Sequence, residues 1–203
     1  MRPIVTNLAA VALALVAVGP VLADELPIRN CTWCHGTSAQ GLTVAPRLAG
    51  QREDYVVHQL QSFAAHKRDD FLAEKYMWSA TANLDPDTAR NLAAYFSSLT
   101  PRAAGDGESE LVAEGRAIFE NGVPTENIAA CQACHGPEGQ GVREIPRLGG
   151  LSYNYLKQRL EQWNEGHDAL AAPMPKVAKS LSPNRIAALA SFLSFVGGET
   201  AEK

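Results

Sequence analysis

The feature that most constrains this chain of 203 residues is a hexapeptide that occurs twice. Cys31-Thr32-Trp33-Cys34-His35-Gly36 returns as Cys131-Gln132-Ala133-Cys134-His135-Gly136, a C-x-x-C-H-G pattern repeated 100 residues on, and together the two copies use all four cysteines. Three chemistries use paired cysteines. A zinc ribbon places its two pairs roughly 15–20 residues apart, whereas 96 residues separate Cys34 from Cys131. A thioredoxin-like redox pair needs no histidine behind the second cysteine and sits in a βαβ pattern that this chain lacks. Covalent attachment of a c-type haem needs this arrangement, with two thiols to add across the two vinyl groups and an adjacent imidazole to reach the iron. A histidine behind both pairs by chance has odds of roughly one in a thousand, given five histidines in the chain. Two haem c groups are therefore expected, held through Cys31, Cys34, Cys131 and Cys134, with His35 and His135 as axial ligands.

The N-terminus points to an exported protein. Arg2 is followed by the apolar run Leu8 to Val18, a Gly19-Pro20 break and Val21-Leu22-Ala23, which reads as a secretory signal peptide over residues 1–23 with cleavage after it. A membrane anchor is the rival reading, but 11 apolar residues fall short of the roughly 20 that span a bilayer. The mature chain is expected to be soluble and periplasmic, and peripheral association with a membrane remains open. A formal net charge of −4 with 18 scattered basic residues excludes the footprint of a nucleic-acid binder. Neither half of the chain is an obvious docking face, since residues 24–100 carry 7 basic and 9 acidic side chains and residues 101–203 carry 10 and 13.

The repeat extends beyond the motif. Ala45-Pro46-Arg47-Leu48-Ala49-Gly50 matches Ile145-Pro146-Arg147-Leu148-Gly149-Gly150, and Tyr55, Leu60 and Phe63 match Tyr155, Leu160 and Trp163, all at an offset of 100. The offset then falls to 97, where Leu84-Asp85-Pro86 matches Leu181-Ser182-Pro183. Two copies of one domain are expected, 24–99 and 110–203, joined by a Pro/Gly/Asp-rich linker over 100–109. Their periodicity is helical. Asp85 and Ser182 read as N-caps with proline at the first helical position, and 55–66, 110–121 and 155–165 read as amphipathic helices. No run of β-branched residues with period two occurs, so each copy is an all-α unit whose long loops wrap a large cofactor.

Beyond Met1 the chain has only Met77 and Met174, which fall opposite each other at the offset of 97, 42 and 39 residues after their histidines. A core-filling role is the plain alternative, but this equivalence favours them as the second axial ligands. Of the other histidines, His58 is taken as an ordinary side chain, and His66 and His167 are the rival ligands.

These residues carry a resemblance. Two C-x-x-C-H-G motifs, two P-R-L-x-G-x-x-x-x-Y segments and a methionine before each last helix make the chain similar to the di-haem cytochrome c4 family of bacterial periplasmic electron carriers. The resemblance implies two tandem class I cytochrome c domains with the haems facing each other near the domain interface. It implies that each proximal histidine donates its other ring nitrogen to a proline carbonyl, here Pro46 and Pro146. The chain departs from the pattern in one respect: only seven mature residues precede Cys31, so the first domain's N-terminal helix must be cut short.

Irons saturated by histidine and methionine leave no open site for a substrate, so an electron-transfer protein is expected rather than an enzyme. The leading reading is a monomeric relay taking electrons from a quinol-oxidising complex or a dehydrogenase and passing them to a terminal oxidase such as a cbb3-type enzyme. The alternative is the cytochrome subunit of a periplasmic dehydrogenase oxidising sulfide, thiosulfate or an alcohol. Arg47 and Arg147, next to the prolines, are expected to satisfy haem propionates or polar groups at the domain interface, the plain alternative being that both are solvated.

Overall fold

The computed structural model describes residues 27–168 and 171–197, and the 1–23 signal-peptide reading lies outside them. The described residues are all-α, with isolated β-bridges that include Leu42↔Ala45, Val142↔Ile145 and Val123↔Ile128. The first repeat runs α1 (Ile28–His35), α2 (Glu53–Ala64), a π-helical turn (Ala73–Met77) leading into α3 (Trp78–Thr81), and α4 (Pro86–Ser98). The second runs α5 (Val112–Asn121), α6 (Gln132–His135), α7 (Tyr153–Glu165), α8 (Met174–Ala178) and α9 (Pro183–Phe195). No helix among the described residues is long and apolar enough to cross a membrane.

The last helix of each repeat begins where its cap chemistry dictates. Asp85 accepts from the backbone N–H of Asp87 and Thr88, Ser182 accepts from that of Arg185, and proline follows each cap, where no intrahelical donor is lost. In the first repeat α2 packs on α4, and in the second α7 packs on α9.

The two cores are unequal. In the second repeat α5 lies across α9, with Phe119 against Phe192 at 5.5 Å, and the buried cluster includes Ile118, Phe119, Leu156, Ile186, Leu189 and Phe192. Gly115 permits this crossing, because a Cβ there would collide with the Ala188 carbonyl. In the first repeat α1 begins three residues before Cys31, and the described residues contain no counterpart of α5. Asn91, Ala94 and Tyr95 on α4 are accordingly exposed, whereas their equivalents Ala188, Ser191 and Phe192 are buried. The buried cluster of the first repeat is smaller, Ala39, Ala49, Leu92 and Phe96 with half-buried neighbours, and Val56, Phe63, Ala89 and Ala93 are buried outside it.

The connection between the repeats is held down on both sides. Ala104 N–H bonds to the Gly150 carbonyl, Gly105 N–H to Ser194 and Tyr153 N–H to Asp106 Oδ1, while Arg102 N–H bonds to Gln40 Oε1. The stretch read as a linker from its composition is packed, because its polar groups find side-chain partners on the first domain and backbone partners on the second.

Candidate functional site: two histidine loops and the seam between them

Each C-x-x-C-H-G motif ends a helix and begins a loop of the same shape. Gly41 and Gly141 return their N–H to the carbonyls of His35 and His135 at 2.8 Å. Both sit at positive φ, and a Cβ would lie 2.7 Å from Arg47 N in one loop and 2.6 Å from Arg147 N in the other. Only glycine lets the loop double back so closely. The doubling delivers a proline carbonyl to each imidazole: His35 Nδ1 lies 2.7 Å from Pro46 O and His135 Nδ1 3.0 Å from Pro146 O. Both histidines are buried, and burial pushes both pKa values down, against the opposing pull of the proline carbonyl. A ring held neutral with Nδ1–H donating keeps the Nε2 lone pair free for a metal.

The four thiols are unpaired. Cys34 and Cys134 are exposed, while burial raises the pKa of Cys31 and pushes that of Cys131 up to about 11. This donor set of two thiols and a neutral imidazole per loop, built twice in the same way, fits a covalently attached haem.

Met77 ends the π-helical turn packed against α2, and Met174 opens α8, packed against α7; both are half-buried. The rival ligands have other neighbours. His66 stacks on Trp78 with centroids 4.1 Å apart, and His167 Nε2 lies 3.9 Å from Glu165.

Arg47 and Arg147 cross between the domains. Arg47, 3% exposed, donates to the carbonyls of Gly149 at 2.7 Å and Gly150 at 2.8 Å, and to that of Arg102. Arg147 donates through Nε to Gly50 at 3.0 Å. Gln51 closes the contact in both senses, donating to Arg147 O at 3.0 Å and accepting from Arg147 N–H at 2.7 Å. Burial and the nearby Arg147 charge bring the pKa of Arg47 down to about 10.

A second cluster, which the sequence did not reveal, lies farther along the seam. Asp70, 1% exposed, accepts from Arg68 Nε at 2.7 Å and, across the seam, from Arg159 Nη1 and Gln162 Nε2 at 3.4 Å. Arg159 also pairs with Asp168, whose N–H bonds to Asp69 Oδ1 at 2.6 Å. Burial alone would raise the Asp70 pKa, but the Arg68 and Arg159 charges bring it below the ordinary value. The repeat pattern hides these residues because they break it: Gln59 stands opposite Arg159, and Arg68 opposite Asp168.

The fold is shared with known proteins. The family model described as Cytochrome c matches residues 19–100 and again 112–196. Cytochrome c-552 of Acidithiobacillus ferridurans is 36% identical over 168 residues, covering 81% of this chain and 73% of that one. Cytochrome c4 of Pseudomonas aeruginosa is 33% identical over 185 residues, covering 87% and 89%. The solved structure of Acidithiobacillus ferrooxidans cytochrome c4 superposes with a TM-score of 0.77 at 36% identity, covering 82% of this chain and 98% of that one. A protein named thiosulfate dehydrogenase electron acceptor, from Stutzerimonas stutzeri, is 32% identical over 174 residues, covering 82% and 79%.

The chain belongs to the cytochrome c family, among the di-haem cytochrome c4-like proteins built of two class I domains. It carries two covalently bound haem c groups and is an electron-transfer protein working with redox partners, not an enzyme.

Proposed function

We propose that Cys31 and Cys34 attach one haem and Cys131 and Cys134 the other, that His35 and His135 ligate the irons from one side, and that Met77 and Met174 ligate them from the other. The observation that carries this reading is the pair of hydrogen bonds from the imidazoles to Pro46 and Pro146. Such a bond fixes the tautomer and orientation of a metal-ligating histidine and raises its basicity. A haem bound there supplies a one-electron couple, whose potential a methionine ligand raises. With His35 and Met77 holding one iron and His135 and Met174 the other, neither iron would keep an open site for a substrate, which leaves outer-sphere electron transfer as the function.

In this reading residues 1–23 direct the protein to the periplasm and are removed, and the domains divide at the 100–109 linker. The mature protein then relays electrons from a quinol-oxidising complex or dehydrogenase to a terminal oxidase. The second reading, a dedicated acceptor for a thiosulfate-oxidising enzyme, is favoured by the two relatives named thiosulfate dehydrogenase electron acceptor. Co-purification with a catalytic chain separates the two.

The ligand assignment is tested by Met77→His and Met174→His. Each variant is expected to lose one thioether–iron absorption band, to keep the other, and to lower the potential of the altered haem. Unchanged spectra and potentials in both would move the assignment to His66 and His167.

A further inference from the structure

Thirteen residues separate Phe63 from Met77 in the first domain, and ten separate the matching Trp163 from Met174 in the second. The ten hold no Phe, Tyr or Trp and no Lys or Arg, whereas the thirteen include Phe71, Tyr76, Lys67 and Lys75. These additions do not fill the first core. Phe71 is 65% exposed and Tyr76 52%, with the Lys75 ammonium over both rings, 5.4 Å from one centroid and 5.2 Å from the other. Lys75 makes no ion pair among the described residues. The π-helical turn Ala73–Met77 holds Lys75 and Tyr76 one turn beyond Phe71, and such turns are frequent at functional sites.

The histidine side of the same site shows the same bias. Trp33, between the two cysteines, is 80% exposed, and the exposed Arg29 stands one turn before it on α1. Their counterparts in the second domain are Ala133 and Ala129. Two segments far apart in the sequence thus place exposed rings and cations beside the two proposed axial ligands of the first domain, His35 and Met77. The fold needs neither feature, since the second domain does without both. Rings beside cations are the composition of interface hot spots, in which Trp, Tyr and Arg are enriched. The sign of the partner follows from the acids of the methionine segment: Asp70 is buried, Asp69 accepts from Asp168 N–H, and Glu74 alone is left against Lys67 and Lys75.

We infer that Phe71, Lys75 and Tyr76, with Arg29 and Trp33, form the docking surface for a redox protein that presents carboxylates around an apolar centre, and that this partner exchanges electrons with the first domain rather than the second. The rings pack on the apolar centre, and the carboxylates meet Arg29 and Lys75, which steers the encounter and fixes its register. One electron passes between the partner and the first haem, each gaining what the other loses, with no bond formed or broken. The inference rests on the haem attachment and the Met77 ligation proposed above.

The test is voltammetry of the holoprotein on gold coated with a mixed monolayer of carboxylate- and methyl-terminated thiols, which presents the partner's surface chemistry. The haems are told apart by their potentials, with Met77→His marking the first. The expected result is direct exchange through the first haem, slowed about tenfold or more by Lys75→Glu and by Phe71→Ser combined with Tyr76→Ser. Lys179→Glu in the second domain makes the same change in net charge and should leave the rate unchanged. Equal slowing by Lys179→Glu would reduce the effect to net charge and overturn the inference, as would exchange through the second haem or wild-type rates in the Lys75 and ring variants. Lys75-dependent binding to phosphatidylglycerol vesicles with no effect at the electrode would assign the patch to a lipid surface and also overturn it. If a variant does not load haem, a salt series on the wild-type protein gives the answer: exchange through the first haem should slow as ionic strength rises, and a salt-independent rate would overturn the inference. Two haems by mass with a negative result here would leave the attachment standing, whereas a wild-type protein without covalent haem would remove the attachment itself.

Discussion

Arg47 connects one side chain to the placement of two redox centres. Its guanidinium is spent on backbone carbonyls of the other domain, and the loop carrying it also carries Pro46, the acceptor for His35. Arg47→Ala removes the donor to four carbonyls at once, those of Ala49, Arg102, Gly149 and Gly150. It should shift at least one haem potential and slow electron equilibration between the haems after single-electron injection, read by pulse radiolysis; wild-type kinetics would remove the arginine from the relay. Asp70 sets the acid limit of the same seam. Its pKa is depressed in the folded protein, so its stabilisation is complete above the ordinary value of 3.8 and is lost as pH falls through the lower folded value. Asp70→Ala, which leaves Arg68 and Arg159 buried without their shared partner, should cost about 3–5 kcal/mol in denaturant unfolding at neutral pH, and much less once the pH has fallen through the lowered folded value. The prolines and arginines were legible in the sequence because they recur at a fixed offset. Asp70, Arg159 and Gln51 were not, since a contact made once between two copies leaves no trace in what the copies share.

At the scale of elements, capping and periodicity located α2, α4, α7 and α9 to within about two residues, because proline behind an aspartate or serine fixes a helix start locally. A short start to the first domain was expected from the seven residues before Cys31, and the described residues ahead of that cysteine hold only Pro27 and the first turn of α1. Its consequence, an exposed Tyr95 where the second domain buries Phe192, required the packing of α5 on α9 to be seen. The linker was read from composition alone, which cannot report that Asp106 and Gly105 have partners on the second domain. Gly115 is where the element account is most exposed to test. Gly115→Ala gains intrinsic helix propensity yet drives a methyl into the Ala188 carbonyl. It should therefore destabilise the holoprotein by about 1–3 kcal/mol in thermal unfolding, and an unchanged or raised midpoint would contradict the crossing.

For the whole molecule, two histidine loops of one design are clamped face to face by reciprocal arginines, a glutamine and a buried acid, with the linker pinned across them. Inter-domain contacts within a chain are by default modest and mobile. Here the buried polar groups are paired across the seam, which suits a protein that must keep two centres at a fixed separation. The central claim is that each loop holds its own haem through its own two cysteines. The most direct measurement is the intact mass of the denatured holoprotein together with a thiol titration. The account predicts the mass of residues 24–203 plus two haems, with no free thiol. The mass of the bare chain carrying two disulfides would contradict it.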